Sequence, residues 1–182
     1  MSTVGILGGT GPAGRGVAIR LAGAGHDVVL GSRDAQRASA SASDLHPRGA
    51  GSVRGAANEE AAACEVVIVA TPYDSAVATV RALRETLANK TVISMVNALA
   101  REGKEMVPLY AARGSMAAQL AFALPQSAVV GAFHHLPADQ MLDLNSGLDA
   151  DVVIFGDDDQ ARSQVAALVD SVEGLQDRKS VV

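Results

Sequence analysis

Three glycines near the N-terminus have the spacing of a phosphate-binding turn. Gly9, Gly11 and Gly14 form a Gly-x-Gly-x-x-Gly pattern between a short apolar run at residues 3–7 and a helical pattern that begins near Ala13. The first glycine permits a tight turn, the second lets the backbone approach a pyrophosphate, and the third lets helix and strand pack closely. The alternative is an ordinary glycine turn. The position between strand and helix favours a dinucleotide site, with the helix N–H groups directed at the phosphates.

The residues after the second predicted strand indicate which dinucleotide is bound. An NAD site usually has Asp or Glu there, which accepts hydrogen bonds from the ribose hydroxyls. This chain has Gly31-Ser32-Arg33, and Arg37 follows one helical turn later. A hydroxyl and a guanidinium can hold a 2′-phosphate through charge-assisted hydrogen bonds. We therefore predict a preference for NADP over NAD; the alternative is that Arg33 is a surface arginine in a loop.

A third segment reaches the same edge of the predicted sheet. Residues 66–70 form a continuous apolar run typical of an internal parallel strand, and Thr71-Pro72-Tyr73 follows it. In an open α/β sheet the carboxyl ends of the strands face the ligand crevice. Tyr73 would then pack against the nucleotide, with Val77 below it. A loop aromatic is the alternative for Tyr73.

Two adjacent histidines, His134 and His135, follow the sixth predicted strand. Neighbours in an extended segment point in opposite directions, so the pair is poorly suited to share a metal ion, and at most one faces the crevice. We favour His134. The acidic run after Gly156 suits helix capping better than Mg²⁺, since no further carboxylates have liganding spacing. No metal site is predicted.

The sequence contains no Ser–His–Asp elbow, CxxC or HExxH pattern, and we predict no catalytic acid–base residue. An enzyme that moves hydride directly between two bound cofactors needs none, because its task is to hold two planar rings together and exclude water. Small residues at the crevice, such as Ala70, Ala98 and Ala138, suit that task.

The order of predicted elements indicates an α/β fold of the Rossmann type, a doubly wound, mostly parallel sheet with helices on both faces. Strands are predicted at 3–7, 28–31, 52–55, 66–70, 91–96, 128–133 and 152–155. Asn58 is predicted to cap a short helix at 59–63. Residues 101–112 are predicted to be loop with short helix, and residues 139–150 an acidic loop.

Composition limits the function classes. The chain has 182 residues, of which 48% are hydrophobic and 19% charged, which is typical of a globular domain. A net charge of −5 gives no reason to expect nucleic-acid binding. No apolar run approaches the ~20 residues of a membrane span. The single cysteine, Cys64, excludes an internal disulfide and is interpreted as a small buried hydrophobe. We expect a soluble cytoplasmic protein.

Several of these motifs together resemble the coenzyme F420-dependent NADP reductase family. The resemblance runs from about residue 4 to residue 175, and its motifs are Gly8–Gly14, Gly31-Ser32-Arg33 with Arg37, Thr71-Pro72-Tyr73, His134–Ala138 and Gly156–Asp159. It implies reversible hydride transfer between NADP and the deazaflavin F420, usually in a homodimer. By this resemblance the pyrophosphate is held by Thr10, Gly11, Pro12 and Ala13. The 2′-phosphate is held by Ser32, Arg33 and Arg37, and the cofactor cleft is lined by Tyr73, Val77 and Ala138.

The C-terminus departs from the family pattern, because family members continue for a few tens of residues. The last six residues, Asp177–Val182, can be encoded by a string that reads as common sequencing-adapter DNA. We therefore expect residues 1–176 to be an NADP-binding domain that lacks the helical part of the family, and residues 177–182 to be a non-native tail.

Two other functions share the glycine turn. One is an NADPH-dependent reductase of an imine, ketone or metal chelate, which would turn over its substrate without F420. The other is a non-catalytic NADP-binding module, which would bind NADPH without hydride transfer. The sequence favours the F420-linked enzyme through the family resemblance alone.

Overall fold

The computed structural model describes residues 1–145 and 147–177, and within them the chain forms ten strands and eight helices. The strands are β1 Thr3–Leu7, β2 Asp27–Ser32, β3 Ser52–Ala57, β4 Val66–Val69, β5 Thr91–Ser94, β6 Leu99–Glu102, β7 Glu105–Pro108, β8 Ala128–Gly131, β9 Ala150–Val152 and β10 Leu175–Asp177. The helices are α1 Pro12–Gly23, α2 Ala35–Ser43, α3 Asn58–Ala62, α4 Tyr73–Ala82, α5 Arg84–Leu87, α6 Met116–Ala123, α7 Ala138–Leu142 and α8 Asp159–Asp170.

Six parallel strands form the central sheet in the order β3-β2-β1-β4-β5-β8. Strand β1 is central, and its Val4 pairs with Val28 of β2 on one side and Val66 of β4 on the other. The strand order reverses between β1 and β4, which is where open α/β sheets bind ligands. The predicted Rossmann-type α/β fold is confirmed.

Apolar cores lie on both faces of the sheet. Along β4 the side chains alternate, so that Val66 and Ile68 join one core while Val67 and Val69 join the other. Helices α1 and α8 cover the first face, and α3, α4 and α6 cover the second. This double cover explains why the strand is a continuous apolar run rather than an alternating one.

Residues 99–108 form an antiparallel hairpin of β6 and β7, so the prediction of loop with short helix at 101–112 is wrong there. The strands turn at Gly103, whose φ of 62° lies in the left-handed region that favours glycine. Most hairpin residues are exposed on both faces, and Met106 is 59% exposed. A two-sided exposed hairpin lacks the apolar alternation by which strands are recognised.

Two further predictions near the C-terminus are wrong in detail. The predicted acidic loop at 139–150 begins with helix α7 and ends with the first residue of β9. The predicted strand at 152–155 overlaps β9 only at Val152, and β9 pairs with β10 outside the main sheet. Phe155 instead makes an antiparallel bridge to Gly131 at the sheet edge.

Within the predicted tail, Asp177 lies in β10 and pairs with Val152. The rest of that prediction, residues 178–182, lies outside the described residues. Among the residues that the structure describes, no helix has the length and apolar character needed to cross a membrane.

Candidate cofactor site

The turn between β1 and α1 is built by close backbone contacts. Gly8 has a φ of 67°, and the Gly9 N–H donates to the carbonyls of Ile6 (3.2 Å) and Gly31 (2.9 Å). A Cβ added to Gly14 would lie 2.7 Å from the Gly9 Cα atom, closer than real side chains approach. Gly14 therefore lets helix α1 pack directly on the turn, as the spacing predicts.

Gly11 is different, because a Cβ there would meet nothing within 4 Å. It is the N-cap residue of α1, where Pro12 starts the helix. No side chain caps this helix and no acidic residue lies in its first turn. Its first N–H groups, which have no partner within the helix, are thus left for an anion at the positive end of the helix dipole.

The end of β2 brings two positive charges to the same side of the sheet. Arg33 and Arg37 are exposed, and neither guanidinium has a hydrogen-bond or ion-pair partner within residues 1–145 and 147–177. The nearby carboxylate of Asp34 accepts from the backbone N–H groups of Gln36 (2.9 Å) and Arg37 (3.1 Å). Asp34 therefore serves as the N-cap of α2, and the unpaired guanidinium groups can receive a phosphate.

The prediction that Asn58 caps α3 is wrong. Helix α3 begins at Asn58, its N-cap is Ala57, and it has no side-chain cap. The buried Asn58 Oδ1 instead accepts from the Gly8 N–H at 3.2 Å and lies 2.7 Å from where a Cβ on Gly31 would be. Asn58 thus braces the glycine turn against the end of β2.

Thr71, at the end of β4, is 8% exposed, and its Oγ1 is buried without a hydrogen-bond partner among the described residues. A buried hydroxyl without a partner is costly, so this one is suited to a ligand or water. A Cβ on Gly8 would lie 2.6 Å from the Thr71 Cγ2 atom, which places Thr71 directly against the turn.

These strand ends enclose one cleft of about 1150 Å³. Its lining includes nine of the predicted site residues: Thr10, Gly11, Pro12, Ala13, Gly14, Ser32, Arg33, Arg37 and Tyr73. The other four, Gly9, Val77, His134 and Ala138, are not among the lining residues. Gly9 is a buried residue of the turn itself, and Val77 packs against the core on the α4 face.

The comparisons with known proteins agree with this geometry. Residues 3–98, just over half of the chain, match the family model described as NADP oxidoreductase, coenzyme F420-dependent. The F420-dependent NADP reductase of Methanocaldococcus jannaschii is 33% identical over 180 residues, which cover 94% of this chain and 80% of that protein. The chain belongs to the coenzyme F420-dependent NADP oxidoreductase family.

Two further relatives extend the likeness to nearly the whole chain. The F420-dependent NADP reductase of Methanothermobacter marburgensis is 32% identical over 182 residues, covering 94% of this chain and 80% of that protein. A solved structure from Arthrobacter sp. FB24, proposed to be an F420-dependent NADP reductase, has a TM-score of 0.80 at 29% identity. That match covers 98% of this chain and 85% of the other.

The fourth motif of the family resemblance, His134–Ala138, lies beside the cleft rather than in its lining. Asn97, which does line the cleft, donates from Nδ2 to the His134 carbonyl at 2.6 Å. The His134 ring is half-buried, 5.0 Å from the His135 ring and 5.5 Å from the Phe155 ring. Burial, helped by the neighbouring His135, lowers the pKa of His134, which therefore stays neutral at pH 7.

Sequence reasoning missed several cleft residues of this oxidoreductase. Asn58 and Thr71 line the cleft and are buried polar residues, and Leu99 and Met106 come from the unpredicted hairpin. Asn97 follows β5 directly, and its position at a strand's carboxyl end was the one available signal.

Proposed function

We propose that the chain transfers hydride between NADP(H) and coenzyme F420. One observation carries the proposal: the uncapped N-terminus of α1 and the unpaired guanidinium groups of Arg33 and Arg37 line the same cleft. A diphosphate and a separate phosphate are the ligands that fit those two positions. Family membership supplies the second partner, the deazaflavin.

In this proposal each cleft residue has a binding task. The N–H groups at the start of α1 hold the pyrophosphate, for which Gly11 leaves room. Ser32, Arg33 and Arg37 hold the 2′-phosphate, and Thr71 offers its unpaired hydroxyl. NADPH supplies a hydride when bound, and a solvent proton completes the reduction of F420; the reverse reaction returns both.

The protein's contribution to the reaction is positioning. Two rings must approach to about 3–3.5 Å, with water excluded, for hydride to pass between them. The proposal places F420 against the segment that starts at His134 and includes Ala138. That segment is adjacent to the cleft, since the His134 carbonyl is bound by Asn97.

The test is to mix the protein with NADPH and oxidised F420 and follow the loss of deazaflavin absorbance. We expect turnover with F420 and little with NADH in place of NADPH. Reduction of an imine, ketone or metal chelate without F420 would favour a different NADPH-dependent reductase. NADPH binding without any hydride transfer would favour a binding module.

We also propose that the chain acts as a homodimer in the cytoplasm, with small molecules rather than nucleic acid as its partners. The family resemblance supports the dimer. Light scattering of the purified protein tests the dimer: a mass of one chain at micromolar concentration would contradict it.

A further inference from the structure

Arg20 of helix α1 binds the end of helix α7 through three backbone carbonyls. Its Nε donates to the Met141 carbonyl at 2.9 Å, and its Nη2 donates to the carbonyls of Gln140 (2.9 Å) and Asp143 (2.7 Å). These residues lie more than one hundred positions later in the chain. One guanidinium thus joins the dinucleotide-binding helix to the segment that follows His134.

Helix α7 needs such support, because it has five residues and is far too short to be stable alone. The last carbonyls of a helix have no partner within it and carry partial negative charge. A guanidinium can donate hydrogen bonds to several of these carbonyls, because its N–H donors lie in one rigid plane. Burial lowers the pKa of Arg20, but the group stays charged. The Asp143 carboxylate opposes that lowering.

A second, independent contact holds the same two helices together. A Cβ added to Gly16 of α1 would lie 2.6 Å from the Met141 Cβ atom and 3.3 Å from the Ala138 carbonyl oxygen. The backbones therefore approach as closely as a glycine permits, one turn after the start of α1. This contact fixes the distance between the helices, while Arg20 fixes the end of α7.

The other end of the segment is also held. Asn97 donates to the His134 carbonyl at 2.6 Å, and Asn97 lines the cofactor cleft. Residues 134–142 are thus fastened to the cleft at the start and to α1 at the end.

We propose that Arg20 is a positioning residue for F420: it holds residues 134–142 as the wall against which the deazaflavin packs. The inference rests on the proposed function for the identity of the second substrate. Arg20 lies two turns from the first residue of α1, beyond the residues that line the cleft, so its loss should spare NADPH binding. It should act on F420 through the placement of α7.

The variant Arg20→Met keeps the apolar stem and removes the donors, and Arg20→Lys keeps the charge without the planar fork. Arg84→Met is the matched control, because Arg84 is exposed on α5 and does not line the cleft. Three quantities are measured: the NADPH Kd, kcat/KM for F420 at saturating NADPH, and hydrogen exchange of the peptide that covers residues 134–145.

For Arg20→Met we expect kcat/KM for F420 to fall about ten- to a hundredfold, the loss expected when a reacting partner is misplaced by about 1 Å. Exchange over residues 134–145 should speed up, exchange over β1 and β2 should not, and the NADPH Kd should stay within about twofold. Arg20→Lys should lie between the wild type and Arg20→Met, and Arg84→Met should match the wild type.

Unchanged hydrogen exchange over residues 134–145 would show that Arg20 does not hold this segment in place. Unchanged kcat/KM for F420 would show that Arg20 has no role in the reaction. An NADPH Kd that rises as much as kcat/KM falls would show a general structural defect and would also overturn that role. A wild type that never reduces F420 would refute the proposed function and the F420 part of this inference. The exchange rates would then still decide whether Arg20 holds residues 134–142 in place.

Discussion

At the scale of single residues, cofactor choice depends on charges that the protein itself leaves unpaired. Asp34, the one carboxylate within two residues of Ser32, is turned to the start of α2 and accepts two backbone hydrogen bonds. Arg33 and Arg37 retain their donors for an external anion. The side-chain types were visible in the sequence, but the role of Asp34 as a helix cap depends on where α2 begins.

Arg33→Ala should lower NADPH affinity about ten- to a hundredfold, equal to the roughly 1.5–3 kcal/mol of a hydrogen bond to a charged group. NADH affinity should change less than about twofold, because NADH has no 2′-phosphate. Isothermal titration of both dinucleotides measures the two values. Arg81→Ala, an exposed arginine of α4 outside the cleft lining, is the control. Equal losses for NADPH and NADH would remove the assignment of Arg33 to the 2′-phosphate.

At the scale of elements, the strand-turn-helix unit β1–α1 was predictable because its glycines permit a turn and close backbone contacts between residues that are neighbours in the sequence. The start of α1 follows from an apolar run that ends in a glycine cluster with Pro12 at the first helical position, whereas the central position of β1 became visible only in the structure. Helix α7 was not predictable, because Arg20 and Gly16 hold it from a distant part of the chain. The hairpin β6–β7 was missed because exposure on both faces leaves no apolar period.

Two glycine variants separate folding from cofactor binding. Gly14→Ala forces a methyl group against Gly9 and should cost about 1–3 kcal/mol of unfolding free energy, as overpacking does. Gly11→Ala should leave that free energy within about 0.5 kcal/mol, since the new methyl group meets only open cleft. It should still weaken NADPH binding about tenfold or more by taking the space of the pyrophosphate.

Urea unfolding and NADPH titration of the two variants check this pair. The account of the turn would be wrong if Gly11→Ala bound NADPH like the wild type. It would be equally wrong if Gly14→Ala were as stable as the wild type.

At the scale of the whole molecule, His26 joins three distant parts of the chain. Its Nδ1 accepts from the Ser2 N–H at 3.2 Å, and its Nε2 lies 3.0 Å from the Ser171 Oγ atom. The Ser171 hydroxyl donates to the Leu168 carbonyl at 2.6 Å, so Nε2 must be the donor to Ser171. The neutral ring thus ties the entry of β1 and the start of β2 to the end of α8, and no sequence pattern indicated this contact.

Protonation of His26 would add a proton to Nδ1. Two N–H donors would then face each other, and the hydrogen bond from the Ser2 N–H would be lost. Burial, chiefly, and the nearby N-terminal amine lower the pKa of His26 below the ordinary 6.5. The unfolded chain therefore binds more protons than the folded one as pH falls below 6.5, and stability falls with it. His134, whose pKa is lowered too, adds to the same effect.

Stability should therefore drop as pH falls from neutrality through about 6.5, the ordinary pKa of an unfolded histidine, and should go on falling until the folded protein binds the same protons. His26→Gln should reduce the slope of unfolding free energy against pH by up to roughly 1.4 kcal/mol per pH unit, the value for one proton. Urea midpoints across this range measure the slope, and the exposed His46→Gln serves as control. An undiminished slope in His26→Gln would show that His26 does not titrate with folding.

The most direct test of the central claim follows one hydrogen atom. NADPH carrying deuterium at one face of nicotinamide C4 is mixed with the protein and oxidised F420, and the reduced deazaflavin is analysed by mass spectrometry. The account predicts that one of the two stereoisomers delivers its deuterium to F420 without exchange with solvent. Reduced F420 that contains only solvent hydrogen with both stereoisomers, or no reduced F420 at all, would contradict it.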